Sequence, residues 1–139
     1  MYQAAASIAL IALLATSCSF PDESRETCDE LVRESRLVLV SESKVALQRA
    51  KNSDDVSAAI RGAAPWVLRS RSRFHACFGV EIADGADTGS IERSPLMKAS
   101  QVVELLRVYA DSSLPVDADN WKSVRRELTT GLEAFEQSP

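Results

Sequence analysis

The sequence predicts an all-α protein: a small bundle of about four helices with one inter-helix disulfide. Three observations carry this. Apolar residues recur three, four and seven apart along most of the chain, instead of alternating. Only five glycines and five prolines interrupt 139 residues, too few to punctuate many short strands. Finally, Cys28 and Cys77 stand at equal distances from a tight break at Asn52-Ser53.

Residues 4–16 (Ala-Ala-Ala-Ser-Ile-Ala-Leu-Ile-Ala-Leu-Leu-Ala-Thr) are uncharged and mostly apolar, and the first charged side chain is Asp22. That run is the length of a signal-peptide core and short for a membrane span. It ends in Ala15-Thr16-Ser17-Cys18. This stretch resembles the lipobox of bacterial prolipoproteins: a small or aliphatic residue, two small ones, then cysteine. The resemblance covers the leader only. Ala15 stands where leucine is commoner, and Met1-Tyr2-Gln3 lacks the usual Lys or Arg. It implies a signal peptide over 1–17, lipidation of Cys18, a tether over 18–23 and a helical domain over 24–139. With Ser19 instead of Asp after the cysteine, it also implies outer-membrane delivery in a Gram-negative cell. Two other readings stay open. Ala15 and Ser17 also suit ordinary signal peptidase, and residues 2–20 are just long enough for an uncleaved anchor.

The first helix is expected over about 24–51, from the pairs Leu31-Val32, Val38-Leu39 and Val45-Ala46 with Cys28 on the same stripe. Leu37-Val38-Leu39-Val40 alone would also suit a strand, but the flanking pairs favour helix. Ser53, followed by Asp54 and Asp55, is the expected N-cap of the second helix. That helix carries Val56, Ile60, Ala63, Val67, Phe74 and Phe78 inward, kinks or restarts at Pro65 and stops at Gly79. A loop is expected over about 79–93. Ser94 then caps a third helix with Pro95 in its first turn, and Leu114-Pro115 ends it. Asp117 or Asp119 starts the fourth, whose stripe Trp121, Val124, Leu128, Leu132 and Phe135 is the clearest amphipathic signal.

The cysteines bear on both export and architecture. Three are present, and an odd thiol is awkward in an oxidising compartment. If lipid occupies Cys18, Cys28 and Cys77 remain as a pair. Cys28 precedes Asn52 by 24 residues and Cys77 follows Ser53 by 24. In an antiparallel hairpin that places both about 36 Å from the turn, close enough to join. Two buried free thiols are the alternative.

Catalytic signals fade on inspection. Asp87-Thr88-Gly89-Ser90 resembles the motif around the aspartic-protease carboxylate. That chemistry needs two aspartates sharing a proton, whereas one copy stands here between helices, so an acidic turn is expected. Asp84, Gly89 and Ile91 fit three positions of an EF-hand loop, but Ala86, Thr88 and Pro95 stand where calcium ligands belong. His75 is the one histidine. A ligand- or haem-binding bundle is the alternative class of function, with His75 and Met97 as the conceivable axial pair. No metal and no cofactor is expected, nor is an enzyme, because the acids are scattered singly along helix faces.

The expected function is binding. The net charge of −4 argues against nucleic acid as partner. Arg69, Arg71 and Arg73 form the one basic cluster, suited to acidic partner residues or anionic lipid, or simply matching a helix C-terminal dipole. Trp66, directly after Pro65, is the best candidate for an exposed apolar contact, since a kink would turn it out of register. Together these describe an envelope-anchored lipoprotein that binds a protein partner, as an adaptor, a pilotin-like assembly factor, or an inhibitor or immunity protein.

Overall fold

A computed structural model describes residues 25–111 and 114–139. The expected leader, Cys18 and the tether lie outside the described residues. The first helix, α1, spans residues 25–49 in three stretches: an α-helix Arg25–Ser35, a π-helix Arg36–Lys44 and an α-helical turn Val45–Arg49. The others are α2 (Ser53–Ala83), α3 (Thr88–Arg93), α4 (Pro95–Ala110) and α5 (Trp121–Glu136), and no strand occurs among the described residues.

The four long helices form an up-down-up-down ring in which α2 packs on α1 and α4, and α5 closes the circuit on α4 and α1. Inter-helix bonds fix the antiparallel sense. On α1 and α5, Arg36 reaches Ser138 O at 3.1 Å, while Arg125 reaches Ala50 O at 2.8 Å. On α4 and α5, the Tyr109 hydroxyl donates to Glu127 at 2.5 Å. Phe135, Leu31, Leu39, Leu47, Leu106, Leu128 and Leu132 form the fully buried centre.

The π stretch explains why heptad pairs misread the inward side of α1. Leu31, Ser35, Leu39, Ser43 and Leu47 are buried, four residues apart throughout, whereas Val32, Val38 and Val45 are half-buried and Ala46 is exposed. At about 100° per residue, a four-residue step in an α-helix overshoots one turn by about 40°. The stripe would therefore wind away from the core. Looser i→i+5 winding turns it back. Ser35 fits inside the wall because its hydroxyl donates to Leu31 O at 2.7 Å.

Helix ends differ from expectation in several places: α4 stops at Ala110, short of Leu114-Pro115, and α5 starts at Trp121 after Asn120, later than Asp117 or Asp119. Asn52, not Ser53, caps α2: its side chain accepts from Asp55 N at 2.9 Å, while Asp55 accepts from Lys51 N at 2.9 Å. The helix also runs through Pro65 without restarting, and past Gly79 to Ala83. Phe78 and Val80, both packed on the core, carry it through the glycine. Termination falls to Gly85, whose φ of +83° is open to glycine at no steric cost. Gly85 N donates to Ile82 O and Ala86 N to Glu81 O, the paired bonds of a glycine-terminated helix end. The expected loop over 79–93 is thus helix at both ends. Ser94 and Pro95 start α4 as expected, with Met97 N donating to Ser94 Oγ at 3.1 Å.

Cys28 and Cys77 form a disulfide between α1 and α2, with their Cα atoms 5.6 Å apart. Closing a loop of 49 residues contributes on the order of 4 kcal/mol in the chain-entropy model. Equal spacing from the turn does set equal height along the hairpin.

Candidate functional site

The residues singled out for partner binding separate in three dimensions. Trp66 is buried, 8% exposed, and is no exposed contact. Because α2 continues in register through Pro65, Trp66 stays on the side facing α1. There its indole N–H donates to Glu34 at 2.7 Å, and its ring meets Phe74 edge-on at 6.4 Å. The arginines fan out. Arg73 turns to α1 and pairs with Glu34 at 3.0 Å. Arg71 turns to α4 and pairs with Glu104 at 2.9 Å, where Arg107 also binds. Arg69 remains exposed.

Glu34 therefore binds two side chains, Trp66 and Arg73. Burial pushes its carboxyl up, but hydrogen bonds from Trp66 and Arg73, with the charges of Arg73 and Arg69, outweigh that and hold it below its usual range. Glu81, near the disulfide, is the opposite case. Burial pushes its carboxyl above the usual range, Arg25 only partly offsets this, and Oε2 has no hydrogen-bond partner among the described residues.

The acidic loop is structural. Asp87 caps α3 by accepting from Ser90 N at 2.7 Å, which is also the main cause holding its carboxyl low. Asp84 pairs with Arg25 at 2.8 Å, tying the end of α2 to the start of α1. His75 is exposed on α2, beside Ser100 and Glu104 of α4.

What the structure assembles instead is the outer face of α2. Ala58, Gly62, Pro65, Arg69, Ser72, Ala76, Gly79 and Ala83 are alternately four and three residues apart, so they share one side of the helix, and all are exposed. Along the edge toward α4, Arg61, Leu68, His75 and Ile82 recur every seven residues, and Leu68 and Ile82 are each 66% exposed. Between Asp55 and Glu81, α2 carries four arginines and a histidine but no acid. Glu34 and Glu104 engage Arg73 and Arg71, whereas Arg61 and Arg69 make no ion pair within 4.0 Å among the described residues.

The glycines sharpen this. A Cβ at Gly62 or Gly79 would meet nothing within 4 Å, whereas one at Gly131 of α5 would meet Val102 of α4 at 3.3 Å. A glycine inside a helix costs about 0.5–1 kcal/mol relative to alanine. Close packing explains Gly131; nothing inside the fold explains the other two. At Gly62 the face runs into a groove of about 490 Å³ between α1 and α2, floored by Ser43, Ala46, Ala50, Ala59 and Ala63 and edged by Glu42, Arg49 and Asp55.

This face was not identified from the sequence. Its signal was present as the four-and-three spacing of small residues over 58–83 and the absence of acids between Asp55 and Glu81. The chain matches no protein-family model, no curated protein and no solved structure. No helix among the described residues is long and apolar enough to cross a membrane.

Proposed function

We propose that this protein is an envelope-anchored lipoprotein, held by lipid on Cys18, that acts by binding a protein partner. The observation that supports it is the outer face of α2: an exposed helix side with two-thirds-exposed Leu68 and Ile82 and no acid between Asp55 and Glu81. A helix side that only meets water is dominated by charged and polar residues. Fully covering a leucine or isoleucine is worth about 1.5–3 kcal/mol, so Leu68 and Ile82 could supply most of a modest affinity. The small residues between them let a partner approach the backbone closely. The lipid reading draws on the lipobox-like leader and on the disulfide, which suits an oxidising compartment.

Site-specific photo-crosslinking in the native envelope tests the reading. A crosslinker at position 68 should capture one protein, and a crosslinker at exposed Thr130 on α5 should not. No capture from 68, or equal capture from both, overturns partner binding through α2. Intact mass spectrometry should find a mature chain that begins at a lipid-modified Cys18; an intact leader overturns the anchor.

A further inference from the structure

We infer that the outer face of α2 takes an acidic amphipathic helix of a partner protein, laid along it in helix-on-helix contact. The inference rests on the partner-binding reading above and names the chemistry of the occupant.

Charge decides between candidates. The whole chain carries −4, yet this face carries only positive groups: Arg61 on its α4 edge, and Arg69 near its α1 edge beside the Arg73–Glu34 pair. Of the acids beside the face, Glu34 and Glu104 are already bonded to Arg73 and Arg71, Glu42 and Asp55 edge only its Gly62 end, and Asp111, in the hollow beside Arg61, has an interaction of its own. Arg61 and Arg69 therefore remain for carboxylates from outside. A second copy of this chain is a poor occupant, because the same face brings further positive charge and no carboxylate to meet Arg61 and Arg69. A basic or uncharged helix would leave both guanidiniums uncompensated at the contact.

Shape fixes the rest. From residue 58 to 83 the face extends about 37 Å, at 1.5 Å per residue, enough for a helix of five to seven turns. The open space over Gly62 and Gly79 and the small side chains of Ser72 and Ala76 provide holes for large apolar residues of that helix. Leu68 and Ile82 pack from the α4 side, while acids on the two flanks of the incoming helix meet Arg61 and Arg69.

The test uses the mature protein and two labelled helical peptides of about 20 residues, read by fluorescence anisotropy. One carries a leucine stripe flanked by glutamates; the other has lysine at every glutamate. The acidic peptide should bind at least tenfold more tightly, and its advantage should shrink as salt is added. Arg61→Glu with Arg69→Glu should reverse the preference. Gly79→Leu, whose Cβ meets no atom of the fold within 4 Å, should weaken binding at least tenfold while the helical circular dichroism and Tm hold. Failure of the acidic peptide to bind, equal binding of both peptides, or a dimer joined through this face in sedimentation would overturn the inference. Capture through position 68 of a partner whose contacting segment is not acidic would overturn it alone; no capture at 68 would sink the partner reading too.

Discussion

α5 and α2 both give a buried stripe to the core, but their outward sides differ in kind. α5 turns Lys122, Arg126, Glu127, Glu133 and Glu136 to solvent, a mixed-charge surface complete in itself. Between Asp55 and Glu81, α2 turns out glycines, alanines, a serine, a proline and two large aliphatics, with positive charge only. Inward stripes report on folding, whereas outward sides differ in what they offer to the surroundings: mixed charge on α5, small and aliphatic groups with arginines on α2.

The strongest way to break the contrast is truncation. Leu128→Ala, at a fully buried site on α5, should cost about 2–5 kcal/mol in urea denaturation. Leu68→Ala should stay within about 0.5 kcal/mol while weakening partner capture. A large stability loss at Leu68 would mean that the face is already covered by the fold. Next come the glycines. Gly62→Ala and Gly79→Ala should each raise stability by about 0.5–1 kcal/mol, whereas Gly131→Ala should gain nothing, because its Cβ is only 3.3 Å from Val102.

Two carboxylates set a smaller contrast in pH. Glu34 is held below its usual range, so its contribution is present at neutral pH and fades as acid protonates it. Glu34→Gln should lower neutral stability and flatten the acid slope. Glu81 is raised, so folding favours its protonated form, and stability falls as pH rises through its ionisation. Glu81→Gln should therefore raise stability at neutral pH, with little effect once Glu81 is protonated. Thermal melts from pH 3 to 7 check both. The smallest effect concerns Tyr109, whose hydrogen bond to Glu127, helped by burial, pushes its hydroxyl up to about 12. Its contribution is present below pH 10 and lost between pH 10 and 12, and Tyr109→Phe should remove that alkaline step.

Much of the fold was legible because its signals are local or symmetric. The α5 stripe obeys helical period, Ser94-Pro95 satisfies the chemistry of a helix start, and the equal spacing of Cys28 and Cys77 about Asn52-Ser53 anticipates their bond. What misled depends on tertiary contact. The burial of Ser35 and Ser43 along the π stretch contradicts hydrophobic pairing, and the helix crosses Gly79 because Phe78 and Val80 are held by the core. Trp66 read as exposed because a kink at Pro65 was expected to displace it. Its docking onto Glu34, a residue 32 positions away, is invisible to any short window. The arginine cluster dissolved for the same reason, since Arg71 and Arg73 find acids on different helices. The outer face of α2 is faint in the sequence because its signal is a scarcity of residues that carry chemistry.

The Cys28–Cys77 bond has a mechanical corollary. Together with the tight turn at Lys51-Asn52, it makes α1 and α2 a covalent hoop, shut at both extremities. Such a hoop resists splaying, so any breathing of the bundle has to proceed by swinging α4 and α5 away from it. The side of α2 turned to the outside would keep its shape throughout, like a rail bolted at each end while the wall behind it moves.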